Sequence, residues 1–328
     1  MVKVLSIILL VAVPAFADDL VDEAVIQILS TNLADNGTRG EWGFSALVKT
    51  GDSCLLWDAG RYPKTVLQNA ASLGADLSCV DTIVLSHFHF DHTGGLEEIL
   101  QHLEADAKTN PIRVVVAEGF FRARFIDTST DAGHSLATNL GAKQWNLMAT
   151  NKPHLEAIGA RFVEISTATQ VAPGVWATGP VERRYDEQNY PKFSHFHEVP
   201  QPNDIDSVPE SQGLVVKTKE GPIVLSGCGH SGTVNLLSQV TKTIQTGPVL
   251  ALMGGLHLYQ ASPATLTWTG NKLKEIGLSY LMAGHCTGVM PMFSLKEALG
   301  LSRSSAVIGA VGAKFVLNSG IEATAIAQ

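Results

Sequence analysis

Three imidazoles and a carboxylate fall within six residues of this chain, in the run Ser86-His87-Phe88-His89-Phe90-Asp91-His92. The run follows directly on the apolar stretch Thr82 to Leu85, which reads as a buried strand ending at the loop. Alternate side chains of an extended segment share a face, so His87 and His89 point the same way. Asp91 and His92 then project after the chain turns, and Gly94-Gly95 let backbone pass close to the cluster. Such a loop can feed two adjacent cations, His87 and His89 serving one, Asp91 and His92 the other. The mixture of imidazole and carboxylate suits zinc, manganese or iron, whereas calcium and magnesium favour oxygen ligands.

Further histidines sit among glycines downstream, in Gly227-Cys228-Gly229-His230-Ser231-Gly232, Gly254-Gly255-Leu256-His257-Leu258 and Gly284-His285-Cys286-Thr287-Gly288. His257 reads equally as a ligand or as a substrate-facing group. His195 and His197 have His-x-His spacing in an irregular stretch and read as exposed loop histidines, or else as lid residues reaching the pocket. His102, His134 and His154 stand alone and read as surface residues. Tyr185, Tyr190, Phe193 and Phe196 form either an aromatic wall for a substrate or ordinary packing. No phosphate-loop or dinucleotide fingerprint is present, and no Gly-x-Ser-x-Gly elbow supports a serine nucleophile.

The elements that must position these residues alternate between strands and helices. Ile26 to Ser30, Phe44 to Lys49 and Cys54 to Trp57 read as strands, the last two joined at Thr50-Gly51-Asp52. A helix is expected from Pro63 to Leu73, with Gly74 past its end. Leu96 to Leu103 suits a helix and Arg113 to Ala117 a strand. Residues 118–212 are less regular, and 187–211 reads as a long, lid-forming surface excursion. Strands at Leu214 to Lys219, Ile223 to Leu225, Val249 to Met253 and Ser279 to Met282 alternate with helices at Val234 to Ile244 and Pro263 to Glu275. This is an α/β pattern in one domain, 18–328.

Composition narrows the function classes. The chain is 45% hydrophobic and 16% charged, which excludes disorder, collagen and coiled coil. Lys and Arg number 23 against 31 Asp and Glu, with no basic cluster, so nucleic-acid binding is disfavoured. Lys3, an apolar run from Val4 to Val13 and Pro14-Ala15-Phe16-Ala17 describe a signal peptide over residues 1–17, cleaved near Ala17. That run is too short for a membrane span. Cleavage removes Lys3 and no acid, taking the net charge from −8 to −9. The mature protein is therefore expected to be periplasmic or secreted, with no membrane span. A Cys54–Cys79 bridge is one option for the first two cysteines, while Cys228 and Cys286 have the look of site residues.

Ser-His-Phe-His-Phe-Asp-His-Thr-Gly-Gly resembles the HxHxDH signature of the metallo-β-lactamase-fold superfamily. Leu56-Trp57-Asp58-Ala59-Gly60 resembles its apolar-apolar-Asp-x-Gly element, whose Asp supports a metal-ligating His. With Gly43-Phe44-Ser45, the three glycine-rich histidine motifs resemble one branch, the dihydropterin-phosphate-synthase-like metallohydrolases, over roughly residues 26–317. The resemblance implies an αββα sandwich, His230 completing the first metal set and His285 closing the second. Cys228 stands where most of the superfamily has a bridging Asp, and it either ligates metal or lines the site. The implied metal set is thus His87, His89, Asp91, His92, His230, His285 and Cys228, holding one or two divalent ions, zinc first and manganese or iron next.

The implied chemistry is hydrolysis of an ester, lactone or phosphoester bond in a small molecule, with Asp91 and His257 as catalytic residues; no further cofactor is expected. Two alternatives stay open: an iron-dependent oxidoreductase on the same fold, and a metal- or ligand-binding protein without turnover.

Overall fold

The computed structural model describes residues 20–198, 201 and 203–327. The expected leader, 1–17, lies outside the described residues. Two mixed sheets of eight and seven strands stack face to face. The first centres on Ser45–Thr50, Ser53–Trp57, Thr82–Val84 and Ile112–Ala117, and the second on Ile223–Ser226, Ala251–Gly255 and Tyr280–Gly284.

Strand periodicity sorts the side chains. Leu55 and Trp57 point between the sheets, where they meet Leu225, Met253 and Met282. Leu56, from the same strand, points outward with Ile83 and Val114 against the helices Thr65–Leu73 and Leu96–His102. On the far side Val224, Leu252 and Leu281 pack against Thr233–Thr243, Pro263–Ile276 and Val289–Leu299. Both faces of each sheet are covered, which is why these strands read as continuous apolar runs. The result is the αββα sandwich in a single domain.

Three regions depart from the sequence reading. Pro63 precedes the N-cap Lys64 instead of opening the first helix, which begins at Thr65. Residues 118–212 hold two helices, Asp131–Trp145 and Leu147–Ala157, and the strand Ala160–Ile165. The 187–211 stretch is irregular but is no mere surface excursion. Ser194, Asp206, Val208 and Glu210 are buried within it, and Ser194–His195 pairs with Phe125–Ile126. Cys54 and Cys79 are joined by a disulfide.

Topology explains where the site lies. Thr82–Val84 runs parallel to Ser53–Trp57 and Ile112–Ala117, and Ala251–Gly255 runs parallel to both its neighbours. Asp58, the Ser86–His92 loop, Gly227–His230, His257 and His285 therefore all follow C-terminal strand ends, the usual crevice of α/β sheets.

Candidate metal centre

Two sets of donor atoms converge in this crevice. One comprises His87, His89 and His230, and the other Asp91, His92, Cys228 and His285; within each set the ligand atoms lie within 4.8 Å of one another. In the first, His89 Nδ1 is 2.9 Å from His87 Nε2 and 3.1 Å from His230 Nε2. In the second, Cys228 Sγ is 3.1 Å from His92 Nε2 and 3.2 Å from His285 Nε2. Asp91 Oδ2 lies 3.2 Å from His285 Nε2. The structure thus brings together all seven residues of the expected ligand set.

Neighbouring groups fix the ring orientations. His92 Nδ1 donates to Asp58 Oδ2 at 2.7 Å, leaving Nε2 to face Cys228. His230 Nδ1 donates to the carbonyl of Asn189, and the Ser86 hydroxyl lies 2.9 Å from His87 Nδ1. Three facing imidazole nitrogens cannot all be satisfied by one another, since a neutral ring offers a single N–H. Zinc–nitrogen bonds of ~2.0–2.1 Å give a tetrahedron with edges of about 3.4 Å, close to these separations. The donor chemistry fits divalent ions.

Electrostatics favours the ligand forms. Burial holds His87 and His230 well below the usual imidazole range and His89 down at about 3, so all three are neutral. Burial opposes ionisation of Asp91, but His92 and His285 outweigh it and keep its carboxyl well below the usual carboxylate range. Burial also opposes protonation of His92, but Asp58 and Asp91 prevail and raise its pKa to about 9. Burial, with Cys286 beside it, pushes the Cys228 thiol up, so it keeps its proton until a cation displaces it.

Backbone conformation is specialised here. Asp58, His257 and His285 all adopt left-handed φ, at 57°, 50° and 50°. Such conformations cost on the order of 1–3 kcal/mol each and persist where the surroundings hold them. Gly227 brings the two sheets together, because a Cβ there would collide with the Ser86 hydroxyl.

A cavity of about 1340 Å³ opens above both donor sets. Trp42, Trp145, Tyr185, Tyr190, Phe193 and Tyr259 contribute to its walls, with Arg184 and Lys192 among them. Three of the four expected aromatic-wall residues are there; Phe196 packs instead beneath Arg122, with 3.6 Å from guanidinium carbon to ring centre. His257 lines the cavity beside His230, their ring centres 4.5 Å apart. His195 and His197 do not reach it: His195 lies 4.0 Å from Asp127, and His197 pairs with Asp204 at 2.7 Å. His154 pairs with Glu97 away from the site.

Several supporting residues carried no sequence signal. Glu187 accepts from Val234 N at 3.1 Å and Asn235 N at 2.8 Å, capping the helix that follows His230. Its burial, only partly offset by those N–H groups and Arg183, lifts its pKa to about 6. Arg124, itself buried, pairs with Asp206 at 3.0 Å and Glu210 at 2.7 Å, and its guanidinium stacks on Phe88 between the two leading histidines. None of these pairs is encoded by short-range spacing.

The profile of the metallo-β-lactamase superfamily matches residues 42–136. A 7,8-dihydropterin-6-methyl-4-(β-D-ribofuranosyl)-aminobenzene-5'-phosphate synthase of Methanocaldococcus jannaschii is 30% identical over 239 residues, 71% of this chain and 75% of the relative. An uncharacterized protein of the same archaeon is 24% identical over 274 residues, 83% of this chain and 94% of the relative. A solved metal-dependent hydrolase of the β-lactamase superfamily shares the fold, with TM-score 0.63 at 23% identity over 89% of this chain and 98% of that one. The chain belongs to the metallo-β-lactamase superfamily, in the branch that includes the archaeal dihydropterin-phosphate synthase.

Proposed function

We propose that this protein is an exported metal-dependent hydrolase acting on an ester, lactone or phosphoester bond of a small molecule. One observation carries the reading: two adjacent sets of inward-facing donors lie at the floor of an open, aromatic-walled cavity. His87, His89 and His230 would hold one divalent ion, and Asp91, His92, Cys228 and His285 the other, with zinc the best match to this donor mixture. When bound, such ions lower the pKa of water toward ~7 and polarise the bond to be broken.

The chain's own side chains divide the remaining work. Asp91, beside both donor sets, would orient the attacking water and accept its proton. His257 stands at the cavity wall beside His230. The aromatic walls hold the apolar part of a substrate. The room available, about 1340 Å³, is enough to admit a sizeable molecule.

Export is supported by the Ala-x-Ala ending at Ala17 and by the Cys54–Cys79 disulfide, a bond typical of oxidising compartments. Among the described residues no helix is long and apolar enough to cross a membrane.

The test is elemental analysis of the purified protein followed by a panel of esters, lactones and phosphoesters. The panel includes phosphorylated heteroaromatic compounds, given the archaeal relative's name. Zinc or manganese with turnover of one bond class supports the proposal. Redox-active iron as the resident metal would favour the oxidoreductase alternative, and tight ligand binding without any product would favour a binding protein.

A further inference from the structure

Nine potential donor side chains crowd the cavity floor, seven of them in the two sets described above. The other two, His257 and Cys286, form a third set with Cys228, again with ligand atoms within 4.8 Å of one another. Two four-coordinate ions that keep positions open for water need no more than the first seven donors. The third set therefore asks for its own account.

Its construction is specific. Cys286 is buried on the short turn His285–Thr287, and its Sγ lies 3.5 Å from the carbonyl oxygen of Cys228. Gly255 makes room for the Gly227 carbonyl and for that sulfur, since a Cβ there would collide with Gly227 O and stand 2.8 Å from Cys286 Sγ. His257 keeps Nδ1 buried without a hydrogen-bond partner among the described residues. The disulfide consumes Cys54 and Cys79, so Cys228 and Cys286 are the chain's two free cysteines, and both are at this site.

We propose that Cys228, Cys286 and His257 form a sulfur-rich cation site, fused to the histidine-rich centre through Cys228, that takes a thiophilic ion of the zinc, cadmium or copper(I) class. The inference rests on the reading of this chain as a metal-binding enzyme. Two thiolates and an imidazole are soft donors matched to such ions. Both sulfurs ligate as thiolates, any thiol proton leaving to solvent, and the cation's charge offsets their buried negative charge. Cys228, with His92 and His285 on its other side, then belongs to two coordination sets at once.

Zinc-edge X-ray absorption of the loaded wild-type protein counts the sulfur neighbours directly and needs no variant. Cadmium titration, followed by thiolate-to-metal charge-transfer absorption in the near ultraviolet, reports the same bonds during loading. An average of about one sulfur per zinc over three zinc per chain is expected, and Cys286→Ser is expected to lose about two-thirds of the charge-transfer intensity and one equivalent of cadmium. An average of about half a sulfur per zinc with two zinc per chain, or an unchanged band in Cys286→Ser, overturns the sulfur-rich site and leaves the hydrolase reading standing. A Cys228–Cys286 disulfide in the unreduced protein, read by mass spectrometry, also overturns it. A protein that binds no metal after reconstitution defeats both readings.

Discussion

Asp58 Oδ2 lies 2.7 Å from His92 Nδ1, with both side chains sealed from solvent. The same carboxylate accepts from the Ser86 backbone N–H at 2.7 Å and from the Ser86 hydroxyl at 2.8 Å. Asp58 follows one strand and Ser86 the parallel strand beside it, so this one side chain ties two strand ends together. It also sets which nitrogen of His92 is free to face Cys228. A metal-facing geometry in one sheet thus depends on a residue that touches no donor set directly except through that ring.

Asp58→Asn tests this dependence. The amide is a weaker acceptor, and its –NH₂ can turn toward His92, favouring the wrong tautomer. Loss of such an outer partner typically costs 10–100-fold in metal affinity. Chelator competition should show that loss for the ion held by Asp91, His92, Cys228 and His285, with a much smaller change at His87, His89 and His230. Equal losses at both sites would mean that Asp58 supports the fold generally.

Metal affinity should also rise with pH. The folded pKa of His92, about 9, lies above its ordinary 6.5. Its contribution to the stability of the metal-free fold is therefore fully present below 6.5 and lost as pH rises through 9. A cation at Nε2 must displace that proton, and Cys228 in the same set gives up another, so apparent affinity should gain up to about tenfold per pH unit for each proton displaced. Calorimetry in buffers of different ionisation enthalpy should read at least one proton released at neutral pH. Flat affinity with no proton release would contradict the arrangement.

Much of this site was legible in the sequence because its ligands are local. His87, His89, Asp91 and His92 lie within one loop after an apolar strand, and the later donors each follow glycines at a strand end. The helices Asp131–Trp145 and Leu147–Ala157 were not legible: they lack a clear apolar stripe, and Gly133 and Pro153 lie inside them. The support of Phe88 by Arg124 was hidden for another reason. Asp206 and Glu210 lie more than eighty residues from Arg124, and only the buried course of the 187–211 stretch brings them to it. That stretch reads as surface from its polar composition, yet its carboxylates are buried because a buried arginine receives them.

Removing that arginine should be costly. Arg124→Met would strand two carboxylates in the core, and breaking a buried pair typically costs about 3–5 kcal/mol. Burial, opposed by Arg124 and reinforced by Asp206, already raises Glu210 to about 7, above its ordinary 4.5. A carboxyl with a raised folded pKa favours the fold below 4.5 and loses that contribution as pH climbs to 7. Denaturant titrations of Arg124→Met should therefore show a larger deficit at pH 8 than at pH 5. Adding Glu210→Gln should recover part of it, and a pH-independent deficit would assign the loss to packing on Phe88.

The disulfide gives a separate handle, because Cys54 is in the core beneath the first sheet's helices while both free cysteines are at the site. Cys54 and Cys79 are 25 residues apart in sequence, and closing a loop of that size stabilises a fold by about 3–4 kcal/mol in the chain-entropy account. Replacing both by serine should lower stability by that order while leaving metal content unchanged. Thiol titration of the unreduced, denatured, chelator-treated protein should find two thiols per chain, and four would remove the bridge. The same sample settles the leader: a mature N-terminus at Asp18 marks cleavage after Ala17, whereas retention of Met1 with four thiols would place folding in a reducing compartment and withdraw export from the proposal.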